Sequence, residues 1–174
     1  MILLGIDPGT AKLGYGVLNV PDIGKETKGY KKYPKLLDCD VIITKPDKDM
    51  PERLKLIYDN LKRISKEFKP DIMIIEKVFF NTNAKTAISV GQAQGVAMLV
   101  AAEGKMRVYQ YTALQAKKVL TGYGRSDKSE MKDAVQEALG LDIRLKSPDA
   151  NDAVAIGLCF LHKDYENHIT GKGK

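Results

Sequence analysis

The hydrophobic pattern changes period along the chain, and each change predicts an element. Residues 2–7 are a continuous apolar run closed by Asp7, as in a central strand buried on both faces. Pro8-Gly9-Thr10 is a turn. Residues 13–20 resume as a second strand, near enough to pair with the first as a hairpin. Residues 21–35 hold Pro, Gly and five lysines and read as a surface loop, and 36–44 as a third strand. Leu54, Ile57, Leu61, Ile64 and Phe68 then step by three and four, which puts them on one helix face. Asp49 with Glu52 resembles a capping box ahead of that helix, and Pro70 closes it. Residues 71–76 form another buried strand that ends in an acid.

Residues 83–103 are nearly all small or apolar and predict a helix with little solvent-facing surface. Gly91 and Gly95 on it would let another backbone come close. A short strand follows at 106–111. Thr112 and Gln115 form a capping box for a helix ending by Gly122, and residues 122–126 read as a mobile basic loop. Residues 128–139 predict a helix with Met131, Val135 and Leu139 inward. Ser147-Pro148 opens the last helix, since Pro suits the first helical position. The strand count is five. The early hairpin implies antiparallel pairing and the later crossovers imply parallel pairing, an α/β architecture with a mixed sheet. Residues 1–165 read as one domain and 166–174 as a flexible tail.

Composition narrows the class. The chain has 174 residues, 44% hydrophobic and 29% charged, which fits a globular domain and not a disordered, collagenous or disulfide-built one. The longest apolar stretch, Val96–Ala102, is too short to span a bilayer, and Asp7 interrupts the N-terminal apolar run too early for a secretory signal. Two cysteines, Cys39 and Cys159, leave a disulfide open, but so Cys-poor a chain reads as cytoplasmic and reduced. The formal charge of +6 and a pI near 9.1 fit a nucleic-acid partner.

Candidate chemistry gathers at the acids. Asp7 and Glu76 each end an apolar strand, and sites in open α/β sheets form beyond the carboxyl ends of strands. Asp149 and Asp152 lie three apart at a helix start, on one face. Each has an ordinary alternative: a turn former, the first solvated strand position, or an acid favoured by the helix dipole. Together, in a basic chain, they fit one site better than four separate accidents. Carboxylates that close repel and raise one another's pKa unless a cation joins them. Oxygen ligands without Cys or nearby His suit Mg²⁺ or Mn²⁺. Two such ions about 4 Å apart would activate water and stabilise the leaving oxygen of a phosphodiester. Arg125 and Lys128 flank a Gly-rich loop and are placed to follow a phosphate backbone. Asp7 followed by Gly9-Thr10 also fits the phosphate-binding turn of actin-like ATPases, so a nucleotide phosphotransferase stands as an alternative.

The blocks Gly5-Ile6-Asp7-Pro8-Gly9-Thr10, Gly14-Tyr15-Gly16-Val17, Ile75-Glu76-Lys77-Val78-Phe79, Gly91-Gln92-Ala93-Gln94-Gly95-Val96, Asp127-Lys128-Ser129 and Pro148-Asp149-Ala150-Asn151-Asp152-Ala153-Val154-Ala155 resemble, in order, those of the RuvC Holliday junction endonucleases. The resemblance spans about residues 2–157. It implies a ribonuclease-H-like fold and a Mg²⁺-dependent homodimer that makes paired nicks across a four-way DNA junction, with the RuvA–RuvB branch-migration complex as a partner. It implies that Asp7, Glu76, Asp149 and Asp152 are the metal-binding catalytic set. Lys117 and Lys128 fall where the family has basic residues near the scissile strand, and Phe79 where it has an aromatic that stacks on a junction base. Phe80 is expected in the core. Gln94 departs from the pattern, where Arg is expected. A non-catalytic junction-binding module and a nuclease-like factor acting on RNA are the further alternatives.

Overall fold

The computed structural model describes residues 1–21, 34–77 and 84–169. Phe79, Phe80 and all but the last two residues of the 25–35 lysine stretch lie outside the described residues. Five strands form one mixed sheet: β1 (Ile2–Asp7), β2 (Lys12–Asn19), β3 (Lys35–Ile43), β4 (Ile72–Glu76) and β5 (Arg107–Tyr111). Their order is β3-β2-β1-β4-β5, antiparallel on the β3-β2-β1 side and parallel on the β1-β4-β5 side. β1 and β4 are therefore parallel neighbours, which brings Asp7 and Glu76 to the same sheet end.

Two helical layers cover the sheet. Helices α1 (Met50–Phe68) and α2 (Ala84–Glu103) bury Ile57, Leu61, Ile64, Ala93 and Ala97 against the Leu4, Ile6, Met73 and Ile75 face. Helices α3 (Ala113–Thr121), α4 (Lys128–Leu139), α5 (Pro148–Lys163) and α6 (Tyr165–Ile169) cover the opposite face, where Leu3, Ile72 and Ile74 meet Ala155, Leu158 and Phe160. The caps are largely those read from the sequence. Thr112 and Gln115 close a full box, Ser147 caps α5, and Asp49 accepts from the Glu52 N–H. The Glu52 side chain turns instead to Lys48, 3.1 Å away. Asp127 and Glu130 form a further full box, ahead of α4. Helix α1 stops at Phe68 because Lys69 adopts a left-handed backbone (φ 48°), one residue before Pro70.

The contact between α5 and the sheet decides where the site lies. Without side chains, Gly5, Gly14 and Gly16 leave room for the helix backbone: a Cβ at Gly5 would collide with the Ala153 carbonyl, one at Gly14 with the Asp149 carbonyl, and one at Gly16 with Val154. The first turns of α5 thus lie directly on β1 and β2.

Two expectations are corrected. Helix α2 is not enclosed: Ile88 (62% exposed), Met98 and Leu99 (53%) face outward, and a Cβ at Gly91 or Gly95 would meet open space. On α6, Tyr165 is buried, and the His168 ring lies 3.1 Å from the Tyr109 hydroxyl beside Phe160. The 122–126 loop is pinned by the buried Ser126, whose hydroxyl donates to the Tyr123 carbonyl at 2.8 Å. Both cysteines are free thiols. Among the described residues no helix is long and apolar enough to cross a membrane.

Candidate active site

Beyond the carboxyl ends of β1 and β4, the sheet and helices enclose a cavity of about 350 Å³. Asp7, Glu76 and Asp152 line it, with Lys117 from α3 and Lys128 from the first turn of α4. Met131, Ala116 and Ile156 supply apolar wall. Three acids and two bases from five elements, spread over 146 positions, converge on one space.

Electrostatics follow from that crowding. Burial holds the Asp7 carboxyl up at about 8, helped by the charges of Glu76 and Asp152, a hydrogen bond shared with Glu76, and Asp149. Burial and the facing acids favour the protonated form across the Asp7–Glu76 pair. Glu76 is itself raised by burial, with Asp152 adding to it and Lys117 opposing it. Asp152 is raised by burial and by Asp149, against Lys128, Lys117 and Lys132. Asp149 is half-buried, is not among the lining residues, and acts on Asp7 and Asp152 through its charge.

The donor chemistry suits a hard divalent cation: oxygen only, partly buried, each lining acid raised in its hold on a proton. Among the described residues no three Asp, Glu, His or Cys side chains already stand at metal-ligating spacing. Asp7 and Glu76 instead face each other, and burial favours a proton on the pair. A cation entering here competes with that proton, which couples metal affinity to pH.

The other candidates divide. Arg125 is exposed and outside the cavity wall. Phe79 lies outside the described residues. Lys132 escaped the sequence reading, although it sits one turn beyond Lys128 on the same face of α4, half-buried, with its charge acting on Asp152. The signal was the Lys128–Lys132 spacing beside inward Met131. Asn151, between the two acids of α5, is 2% exposed, and its Oδ1 has no hydrogen-bond partner.

The turn after Asp7 is built into the fold. The buried Thr44 hydroxyl donates to the Thr10 carbonyl at 2.6 Å and accepts from Arg53 Nε at 2.8 Å. Thr10 itself is 6% exposed, unlike a phosphate-cradling turn open to ligand.

A family model, Crossover junction endodeoxyribonuclease RuvC, matches residues 3–160. The crossover junction endodeoxyribonuclease RuvC of Alkaliphilus oremlandii is 46% identical over 162 residues, 93% of each chain. That of Desulforamulus reducens is 40% identical over 174 residues, the full length of both. Among solved structures, Thermus thermophilus RuvC in complex with Holliday junction substrate matches with a TM-score of 0.86 and 30% identity over 96% of each chain. The yeast mitochondrial Holliday junction resolvase matches with a TM-score of 0.66 at 11% identity, covering 98% of this chain and 84% of that one, a likeness of fold alone.

Proposed function

Because this chain belongs to the RuvC family of crossover junction endodeoxyribonucleases, we propose how its own residues carry out junction resolution. It is a nuclease that resolves Holliday junctions, on a ribonuclease-H-like fold. Nucleases of this family depend on a metal. In our reading the metal is Mg²⁺, with Mn²⁺ able to substitute and two ions per site, held by Asp7, Glu76, Asp149 and Asp152. When bound it supplies Lewis-acid charge and an activated water for phosphodiester hydrolysis. The observation that carries the reading is the single cavity in which Asp7, Glu76 and Asp152 face Lys117 and Lys128.

Each side chain has a task in that cavity. Asp7 gives up its shared proton as the site loads. Glu76 and Asp152, from a strand end and a helix start, hold their carboxylates at fixed places because both elements are buried. Lys117 and Lys128 take phosphate oxygens and offset the acids, which alone would repel DNA. Arg125 follows the backbone farther out, and Phe79 stacks on a junction base.

Two copies related by a two-fold axis would set two such cavities against the two-fold symmetry of a junction, so that both strands are cut. The exposed Ile88, Gly91, Gly95 and Leu99 stripe of α2 is our candidate contact. The cytoplasm is the place of action, with the RuvA–RuvB complex as partner. Family membership does not favour the phosphotransferase or the binding-module alternative.

The test is a denaturing-gel cleavage assay on a labelled, immobile four-way DNA junction. Wild type with Mg²⁺ gives symmetric nicks on opposing strands. Chelator abolishes them, and so does Asp7→Asn, which still binds the junction. Normal cutting by Asp7→Asn would refute the site.

A further inference from the structure

The loop between α3 and α4 carries an exposed aromatic that the cavity does not use. Tyr123 is 60% exposed, and Leu114, in the first turn of α3, is 62% exposed. Singly, exposed apolar side chains are ordinary. The Tyr123 backbone is held in place. The Tyr123 N–H donates to Thr121 Oγ1 at 3.2 Å, and its carbonyl accepts from the Ser126 hydroxyl at 2.8 Å and the Ser126 N–H at 3.3 Å. Thr121 Oγ1 is itself tied to the Lys117 carbonyl at 2.8 Å. The backbone is thus fixed on both sides of the ring while the ring stays in solvent.

The loop also folds back on α3. A Cβ at Gly124 would lie 3.3 Å from Leu114 Cδ1, so the loop rests on the helix turn whose Ala113 lines the acidic cavity. Lys117, Lys118, Arg125 and Lys128 lie on the same two helix ends and loop. An exposed, backbone-fixed ring among cations is complementary to one occupant: a nucleic-acid strand with phosphates on the cations and a base on the ring. Bases in a duplex already have both faces covered, whereas a strand at a branch point offers unpaired ones.

We propose that Tyr123, preceding the Gly124 that rests on Leu114, is a stacking platform for an unpaired nucleobase of the junction beside the cleavage cavity. This rests on the reading that the substrate is a four-way junction, and it adds a second base-binding position to that expected of Phe79.

The experiment uses the full chain in chelator, so that no strand is cut. Junctions carry 2-aminopurine at each crossover position in turn, and a duplex of the same sequence is the control. Wild type quenches one or more positions. Tyr123→Ala loses the quench at one of them and weakens junction binding about 5- to 30-fold, with duplex binding and the salt slope unchanged. Tyr123→Phe keeps both. Leu114→Ala weakens the same position and carries the test if Tyr123→Ala fails to fold. Wild-type affinity in Tyr123→Ala overturns the proposal. So does a Phe variant as weak as the Ala variant, a shallower salt slope, or a quench that only Phe79→Ala removes. A wild-type protein that binds junction no better than duplex would instead refute the substrate reading, before any variant is compared.

Discussion

At the scale of single residues, the burial of Asp7 among other acids is decisive. The folded carboxyl titrates at about 8 against an ordinary 3.8. Between those values the folded protein binds the extra proton, so stability falls as pH rises through the window. Asparagine has no such charge to bury. Asp7→Asn should therefore melt above wild type at pH 8 without metal, by about 2–4 °C for each kcal/mol recovered, and match it near pH 4. Melting curves of both proteins across this range check the sign, and divalent cation at pH 8 should raise wild type more than the variant. Lys132 is the second case. If it takes a phosphate, Lys132→Ala lowers the log-log salt slope of junction binding by about 0.9. Lys66→Ala, on the opposite helical layer, should leave it unchanged. Fluorescence anisotropy titrations at four salt concentrations separate the two.

Among elements, the contact of α5 with β1 and β2 sets the geometry of the acids. At Gly14 an added methyl would run into the Asp149 carbonyl, which no rotamer change relieves. Gly14→Ala should cost about 1–3 kcal/mol of stability and more than tenfold in cleavage, while junction binding stays within a few-fold. Thermal melts alongside the gel assay measure both. These elements show what the sequence reveals and what it hides. Asp7 and Glu76 were legible because a buried strand announces itself as an apolar run, and an acid at its end stands out. Asp149 and Asp152 were legible through Ser147-Pro148, which fixes where α5 begins. Helix α2 misled because small and apolar residues all round suggest enclosure, although nothing in the pattern says which side the sheet covers. Lys132 was hidden because a cation on an amphipathic helix reads as solvated until the neighbouring helix is placed. Helix α6 was hidden because its anchors, Tyr109 and Phe160, are distant in sequence from His168.

For the whole molecule, the outward stripe of α2 and the acidic cavity raise the question of two-fold action. Leu99→Asp sets a charge in the middle of the proposed contact. It should shift the protein to monomer in sedimentation at micromolar concentration. On a junction cut in a supercoiled plasmid it should turn paired cuts into single nicks, without moving the melting temperature much, because Leu99 is 53% exposed already. A dimeric Leu99→Asp would remove α2 from the interface. The order of the site's parts along the chain has a consequence of its own. Asp7 is made first and Glu76 midway, but Asp149 and Asp152 come on α5, near the end of synthesis. Domains fold as units from the ribosome. On the proposed site, a nascent chain that has passed Glu76 therefore carries two of the four acids and lacks the helix that brings the others. Cutting would then begin only when the last long helix settles onto three glycines.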